Sequence, residues 1–172
     1  MSLEETLPIT LTVNGERITR DVPVRQHLVD FLRTELGLTG SHIGCEHGIC
    51  GACSVRVDGD VVRGCLMLAV QADGAEVVTI EGLTESNEIT DLQEKFVERN
   101  ALQCGYCTPG MLVTAAALLR QPKPASRDEI RAFLSGNYCR CTGYHAIIDA
   151  VEATLKQRLG REAAPTRRAD GA

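Results

Sequence analysis

The 172-residue sequence predicts an α+β protein in two parts, a strand-rich first part followed by a bundle of four helices. Two observations carry that expectation. Apolar residues recur at a strand-like period of about 2 up to roughly Gly82, then at a helical period of about 3.6. Eight cysteines divide at the same place: Cys45, Cys50, Cys53 and Cys65 precede it, and Cys104, Cys107, Cys139 and Cys141 follow it.

Each element has its own signal. ITLTV at 9–13 alternates apolar and polar, and Asn14-Gly15 is a hairpin turn leading into RITRDV. Leu28, Phe31, Leu32 and Leu36 stand at helical spacing, with Gly37 suited to the residue just past the helix end. SVRVDGDVVRGCL reads as two strands joined at Asp58-Gly59, and EVVTI at 76–80 as a further strand. Beyond the change of period, Thr90 and Gln93 have the spacing of a capping box opening a helix. Thr108-Pro109 supplies an N-cap and a first-turn proline for GMLVTAAALLRQ, which Pro122 follows. Ser126 with Glu129 caps RDEIRAFL, ended by Ser135-Gly136, and YHAIIDAVEATLKQRL stops before Gly160. The remainder, 161–172, has no apolar anchors and reads as a loose tail whose Arg161, Arg167 and Arg168 are solvated.

Composition removes several function classes. A net charge of −5 and the absence of Trp disfavour nucleic acid as a partner. No apolar run approaches the roughly 20 residues needed to span a membrane. MSLEETLPITL carries acidic residues where a secretory signal carries basic ones, so the expected location is cytoplasmic. In that compartment eight cysteines point to metal rather than to disulfides.

The first four cysteines read C-x4-C-x2-C-x11-C. C-x4-C-x2-C is the plant-type [2Fe–2S] spacing, whereas zinc sites pair their ligands in two short knuckles. Gly44, Gly48 and Gly51 let the loop curl and aim backbone N–H groups at the sulfurs. Cys65 alone would read as a core cysteine; the upstream triplet makes it the fourth ligand. The second four read C-x2-C-x31-C-x-C. Each pair precedes a helix start, where the helix dipole stabilises thiolates. Zinc and [2Fe–2S] both satisfy that arrangement, and the neighbouring cluster motif favours iron–sulfur.

GCEHGICGACSVRVDG, QCGYCTPGM and NYCRCTGY, in that order, closely resemble the small iron–sulfur subunit of the molybdenum hydroxylases, the xanthine oxidase and aldehyde oxidoreductase family. The resemblance spans residue 7 to about 160 and includes all eight cysteines. It implies a plant-type, ferredoxin-like β-grasp domain over 7–82 and a four-helix [2Fe–2S] domain over 86–160. It implies that the cluster on Cys104, Cys107, Cys139 and Cys141 lies near a molybdopterin, and the cluster on Cys45, Cys50, Cys53 and Cys65 toward FAD. Both of those cofactors would sit on partner chains, a large and a medium subunit, in a heterotrimer or a dimer of heterotrimers. Gln103 maps to a glutamine that hydrogen-bonds the pterin, and the Cys139 region also contacts it. Departures are small: His42 stands where polar residues vary, Tyr138 where an aliphatic residue is common, and Ser54 where threonine is frequent.

Other residues have plainer readings. With both four-cysteine sites complete, His27, His42, His47 and His145 are packing or surface residues, His47 being the one placed to tune a cluster. Met111, Leu112, Ala115, Leu118 and Leu119 form a core stripe. Arg140 between two ligands faces either cluster charge or a partner. The expected function is electron transfer within a molybdenum-dependent hydroxylase or dehydrogenase, with no catalytic residue on this chain. The competing readings are a free-standing two-cluster ferredoxin and a structural zinc protein.

Overall fold

A computed structural model describes residues 5–121 and 123–163. Pro122 and the segment 164–172, which includes most of the expected tail, lie outside the described residues.

The described residues form a mixed α/β structure with one five-stranded sheet and six α-helices. β1 (Thr6–Val13) and β2 (Glu16–Pro23) make the expected antiparallel hairpin. Asn14 and Gly15 both adopt positive φ, the geometry that matches the twist of the flanking strands. α1 (Leu28–Thr34) follows, burying Leu28, Val29, Phe31 and Leu32. It ends at Glu35, so Gly37, although left-handed at φ +69°, lies one residue further out than its expected place. β3 (Ser54–Val57) and β4 (Asp60–Arg63) turn at Asp58-Gly59 as read. After a 3₁₀ turn at Ala69–Ala72 comes β5 (Glu76–Val78), which runs parallel to β1 and antiparallel to β3, giving the order β2-β1-β5-β3-β4.

The expected strand through Ile80 is shorter than read. Thr79 takes an extended backbone and Ile80 begins a helix, α2 (Ile80–Glu85), that the alternating residues of EVVTI do not announce. Asn14 explains the break: its Oδ1 accepts the Thr79 N–H at 2.9 Å, and its Nδ2 donates to the Thr79 hydroxyl. The hairpin turn thus takes the Thr79 N–H before a strand ladder can.

α3 (Thr90–Glu98), α4 (Thr108–Leu119), α5 (Arg127–Leu134) and α6 (His145–Ala163) follow. The Ser126–Glu129 capping box is present, with Ser126 N–H on Glu129 Oε2 at 2.7 Å and Glu129 N–H on Ser126 Oγ at 3.3 Å. The Thr90–Gln93 box is not: Thr90 is already helical, its hydroxyl meets Asn87, and Gln93 reaches back to Thr84. α4 starts one residue earlier than read, with Cys107 as its N-cap. α6 does not stop before Gly160 but continues to Ala163.

Two cores result. Ile9, Leu11, Phe31, Leu32, Val55 and Val77 pack between the sheet and α1. Leu92, Phe96, Met111, Ile130, Ile147 and Val151 join the helices. The stripe Met111, Leu112, Ala115, Leu118 and Leu119 is buried as expected, in a helix that is apolar on nearly every side because it is central. Val61 and Val78 of the sheet pack against that helical core, so the two parts share an interface. Among the described residues no helix is long and apolar enough to cross a membrane.

Candidate metal centres

All eight cysteines are free thiols. The loop bearing Cys45, Cys50 and Cys53 curls through left-handed Gly48 and Gly51. Gly44 serves a different end, close approach: a Cβ there would stand 3.0 Å from Cys50 Sγ. The curl turns backbone donors onto sulfur, with Cys50 N–H on Cys45 Sγ at 3.3 Å and His47 N–H on the same sulfur at 3.4 Å. Those donors, Cys50's first, hold the Cys45 thiol down to about 6. His47 therefore acts here through its main chain, and its ring bonds the Cys45 carbonyl.

Cys53 and Cys65 neighbour one another in a small apolar pocket with Val29 and Ile43, each cysteine only 2% exposed. Burial pushes the Cys53 thiol up to about 12. Cys45 neighbours Cys50 in the same way, so the first set resolves into two pairs.

The second set is likewise two pairs. Cys141 and Cys104 approach to 3.5 Å between sulfurs, and Cys107 interacts with Cys139. Burial pushes the Cys107 thiol up to about 12. Burial also works to raise Cys139, but the Thr142 hydroxyl, 3.2 Å from its sulfur, and nearby backbone donors outweigh it and the thiol is lowered. The Cys139 N–H donates to Tyr144 Oη at 2.9 Å, and the Thr142 hydroxyl accepts the Tyr144 N–H. The turn before α6 is thus fixed by its own side chains. Cys104 is exposed, and Gln103 beside it donates from Nε2 to the Cys141 carbonyl at 3.1 Å. Gln103 therefore bridges the two halves of the second set. Arg140 is exposed.

The donor set fits a two-iron cluster better than a single ion. A mononuclear site needs its four thiolates around one point, whereas these eight stand as close pairs. Two irons need two thiolates each, which is the pairing found twice. The 3.5 Å between Cys104 and Cys141 is close to the roughly 3.8 Å edge of a tetrahedron with metal–sulfur bonds of about 2.3 Å. Ser41, in the loop before Cys45, is 1% exposed and its hydroxyl has no partner among the described residues. Such a group costs about 1–3 kcal/mol unless something accepts its proton, and cluster sulfur is an acceptor.

Two residues important here are missed by cysteine spacing. Asn137, 1% exposed, donates to Gly51 O at 3.1 Å and accepts from the Thr114 hydroxyl at 3.0 Å. Tyr106 stacks on His42 with ring centroids 4.6 Å apart and donates from its hydroxyl to Ile43 O at 2.7 Å, while His42 Nδ1 meets Tyr106 O at 2.8 Å. A polar residue flanking ligands in both motifs, as Asn137 and Tyr106 do, is the available sequence signal.

Comparison with known proteins finds two family models along the chain. The 2Fe-2S iron-sulfur cluster binding domain family matches residues 11–82, and the [2Fe-2S] binding domain family matches 79–152. The caffeine dehydrogenase subunit gamma of Pseudomonas sp. strain CBB1 is 51% identical over 148 residues, 84% of this chain and 89% of that one. The nicotine 6-hydroxylase small subunit of Paenarthrobacter nicotinovorans is 46% identical, over 87% of this chain and 90% of that one. A chain of quinoline 2-oxidoreductase from Pseudomonas putida 86 superimposes with a TM-score of 0.84 at 46% identity, covering 92% of this chain and 99% of its own.

Proposed function

Because the chain belongs to the small iron–sulfur subunits of the molybdenum hydroxylases, we propose that it relays electrons from a molybdopterin on a large partner subunit, through two [2Fe–2S] clusters, to FAD on a medium one. It is an electron-transfer subunit of an oxidoreductase complex and carries two [2Fe–2S]-binding domains. We assign the first, a ferredoxin-like β-grasp, to 7–82 and the second, a four-helix bundle, to 86–160.

The observation that carries the reading is the twice-repeated pairing of four thiols. Cys45, Cys50, Cys53 and Cys65 would hold one cluster, and Cys104, Cys107, Cys139 and Cys141 the other. Each cluster, when bound, supplies a one-electron carrier. The chain's part is to hold and insulate. Backbone N–H groups of His47 and Cys50 stabilise negative charge on Cys45. Val29 and Ile43 keep water from Cys53 and Cys65. Thr142 does for Cys139 what the backbone does for Cys45.

Exposure supports this orientation. Cys104 is the exposed thiol of the second set and lies beside the exposed Gln103 amide, which supports placing the pterin on that side. Ile49 at 55% and Leu66 at 61% exposure flank ligands of the first set, which supports a subunit contact for the flavin chain there.

The test is to purify the complex through a tag on this chain and measure metals. About four irons and about one molybdenum per copy are expected. Iron without molybdenum, in a chain eluting alone, would replace the subunit by a free carrier, and zinc without iron would overturn both.

A further inference from the structure

The two ligand loops touch through a small set of contacts, and one buried side chain stands at their centre. Asn137 lies two residues before Cys139, and its Nδ2 donates to the carbonyl of Gly51, the residue after Cys50. Its Oδ1 accepts from Thr114 on α4, the helix that Cys107 caps, and lies 3.5 Å from Arg63 Nη2. Arg63 in turn donates to Gly136 O at 2.8 Å and to Ser54 Oγ. Asn137 thereby ties together three segments: the Cys50–Cys53 loop, the middle of the helix that Cys107 caps, and the turn before Cys139.

The packing leaves this junction little slack. A Cβ on Gly51 would stand 2.6 Å from Gly136 O, and one on Gly110 would run into Gly51 O. Within that close-packed backbone, an amide offers a donor toward one loop and an acceptor toward the other helix. Neither an aliphatic side chain nor a carboxylate of the same size does both. Because one partner is a backbone carbonyl, removing the amide takes a donor from Gly51 and an acceptor from Thr114, so the side chain also contributes to stability. What the amide adds is a fixed register between ligand loops of different sets.

We propose that Asn137, braced by Thr114, is the positioning residue that sets the separation and orientation of the two cluster sites, and with them the coupling between the clusters. This rests on the two-cluster reading above. Asn137 touches neither set of sulfurs; it acts through Gly51 and the backbone that leads to Cys139.

The test compares the intact complex with Asn137→Asp, Asn137→Ala, Thr114→Val and Thr114→Ser variants. With both clusters reduced, low-temperature electron paramagnetic resonance reads each cluster's own signal and the splitting that arises between them. In Asn137→Asp a carboxylate would face the Gly51 carbonyl and lose the donor; in Thr114→Val the brace is removed while Asn137 remains. In these two and in Asn137→Ala the expected result is two cluster signals with their own g values kept and the mutual splitting narrowed or lost. Thr114→Ser, which keeps the hydroxyl, is expected to restore the parent splitting. An unchanged splitting in Asn137→Asp and Thr114→Val, with only a lower melting temperature, would reduce Asn137 to a structural residue and overturn the proposal. If Asn137→Asp fails to assemble, Thr114→Val decides the same question. Failure of the underlying reading looks different, since the parent complex itself would then lack two cluster signals.

Discussion

The backbone N–H of Tyr138 donates to the carbonyl of Cys50 at 2.8 Å. One hydrogen bond thus joins a cysteine of the first set to the residue before a cysteine of the second. The Tyr138 main chain makes the contact, while the residue as a whole is 56% exposed.

Close approach of the same loops makes Gly110 sensitive. A methyl group there has backbone oxygens of Gly51 and Ala52 in its path, and backbone cannot rotate away. Gly110→Ala is expected to destabilise the chain by about 1–3 kcal/mol, the usual scale of overpacking. Thermal unfolding of the cluster-loaded protein checks it. By contrast Gly160→Ala, with open space around its Cβ and a helical backbone, is expected to be neutral or slightly stabilising.

The thiols of the metal-free chain differ in reactivity. The Cys45 thiol, held down to about 6 by backbone donors, is mostly thiolate at neutral pH and loses that form only as pH falls through about 6. Cys53 and Cys107, pushed up to about 12 by burial, stay protonated across the neutral range. Iodoacetamide at about pH 7.5, above the Cys45 value and far below the other two, is expected to alkylate Cys45 well before Cys53 or Cys107, with peptide mass spectrometry as the readout. Equal labelling of all three would contradict the geometry.

Ser41 offers a separate check on the first site. Its hydroxyl is buried, has no partner among the described residues and lies four positions before Cys45; a donor from there to cluster sulfur would favour the more negative, reduced state. Ser41→Ala is expected to lower the reduction potential of the first cluster by about 40 mV, taking one hydrogen bond as about 1 kcal/mol and a tenfold change as about 59 mV for one electron. A potentiometric titration followed by visible absorption measures it. No shift would mean the hydroxyl meets something other than the cluster.

Helix starts test how local rules were read. Ser126→Ala is expected to cost about 1 kcal/mol because its capping box is formed, whereas Thr90→Ala is expected to change stability little. Melting temperatures of the two variants, measured side by side, separate them.

That contrast shows where the sequence was legible. Ser126 and Glu129 act on backbone four residues long, so their pattern suffices, and so does Asn14-Gly15 in its turn. Thr90 and Gln93 carry the same spacing, but Asn87 and Thr84, brought close by α2, take their side chains. α2 itself escaped because its first residue is set by Asn14, 65 positions before Thr79. The two cysteine sets stood out in the sequence because each member is a rare residue, and the fold brings the members of each set together. Asn137 did not stand out, because its partners Gly51 and Thr114 lie 86 and 23 positions away and neither is chemically unusual.

On this assignment the eight thiols make two separate two-iron sites. Its most direct measurement is the paramagnetic resonance spectrum of the dithionite-reduced complex for Cys65→Ser and Cys141→Ser against the parent. Two distinct signals are predicted in the parent, with each variant losing or altering one and leaving the other in place. A single signal in the parent, or one that both variants abolish together, would contradict the assignment.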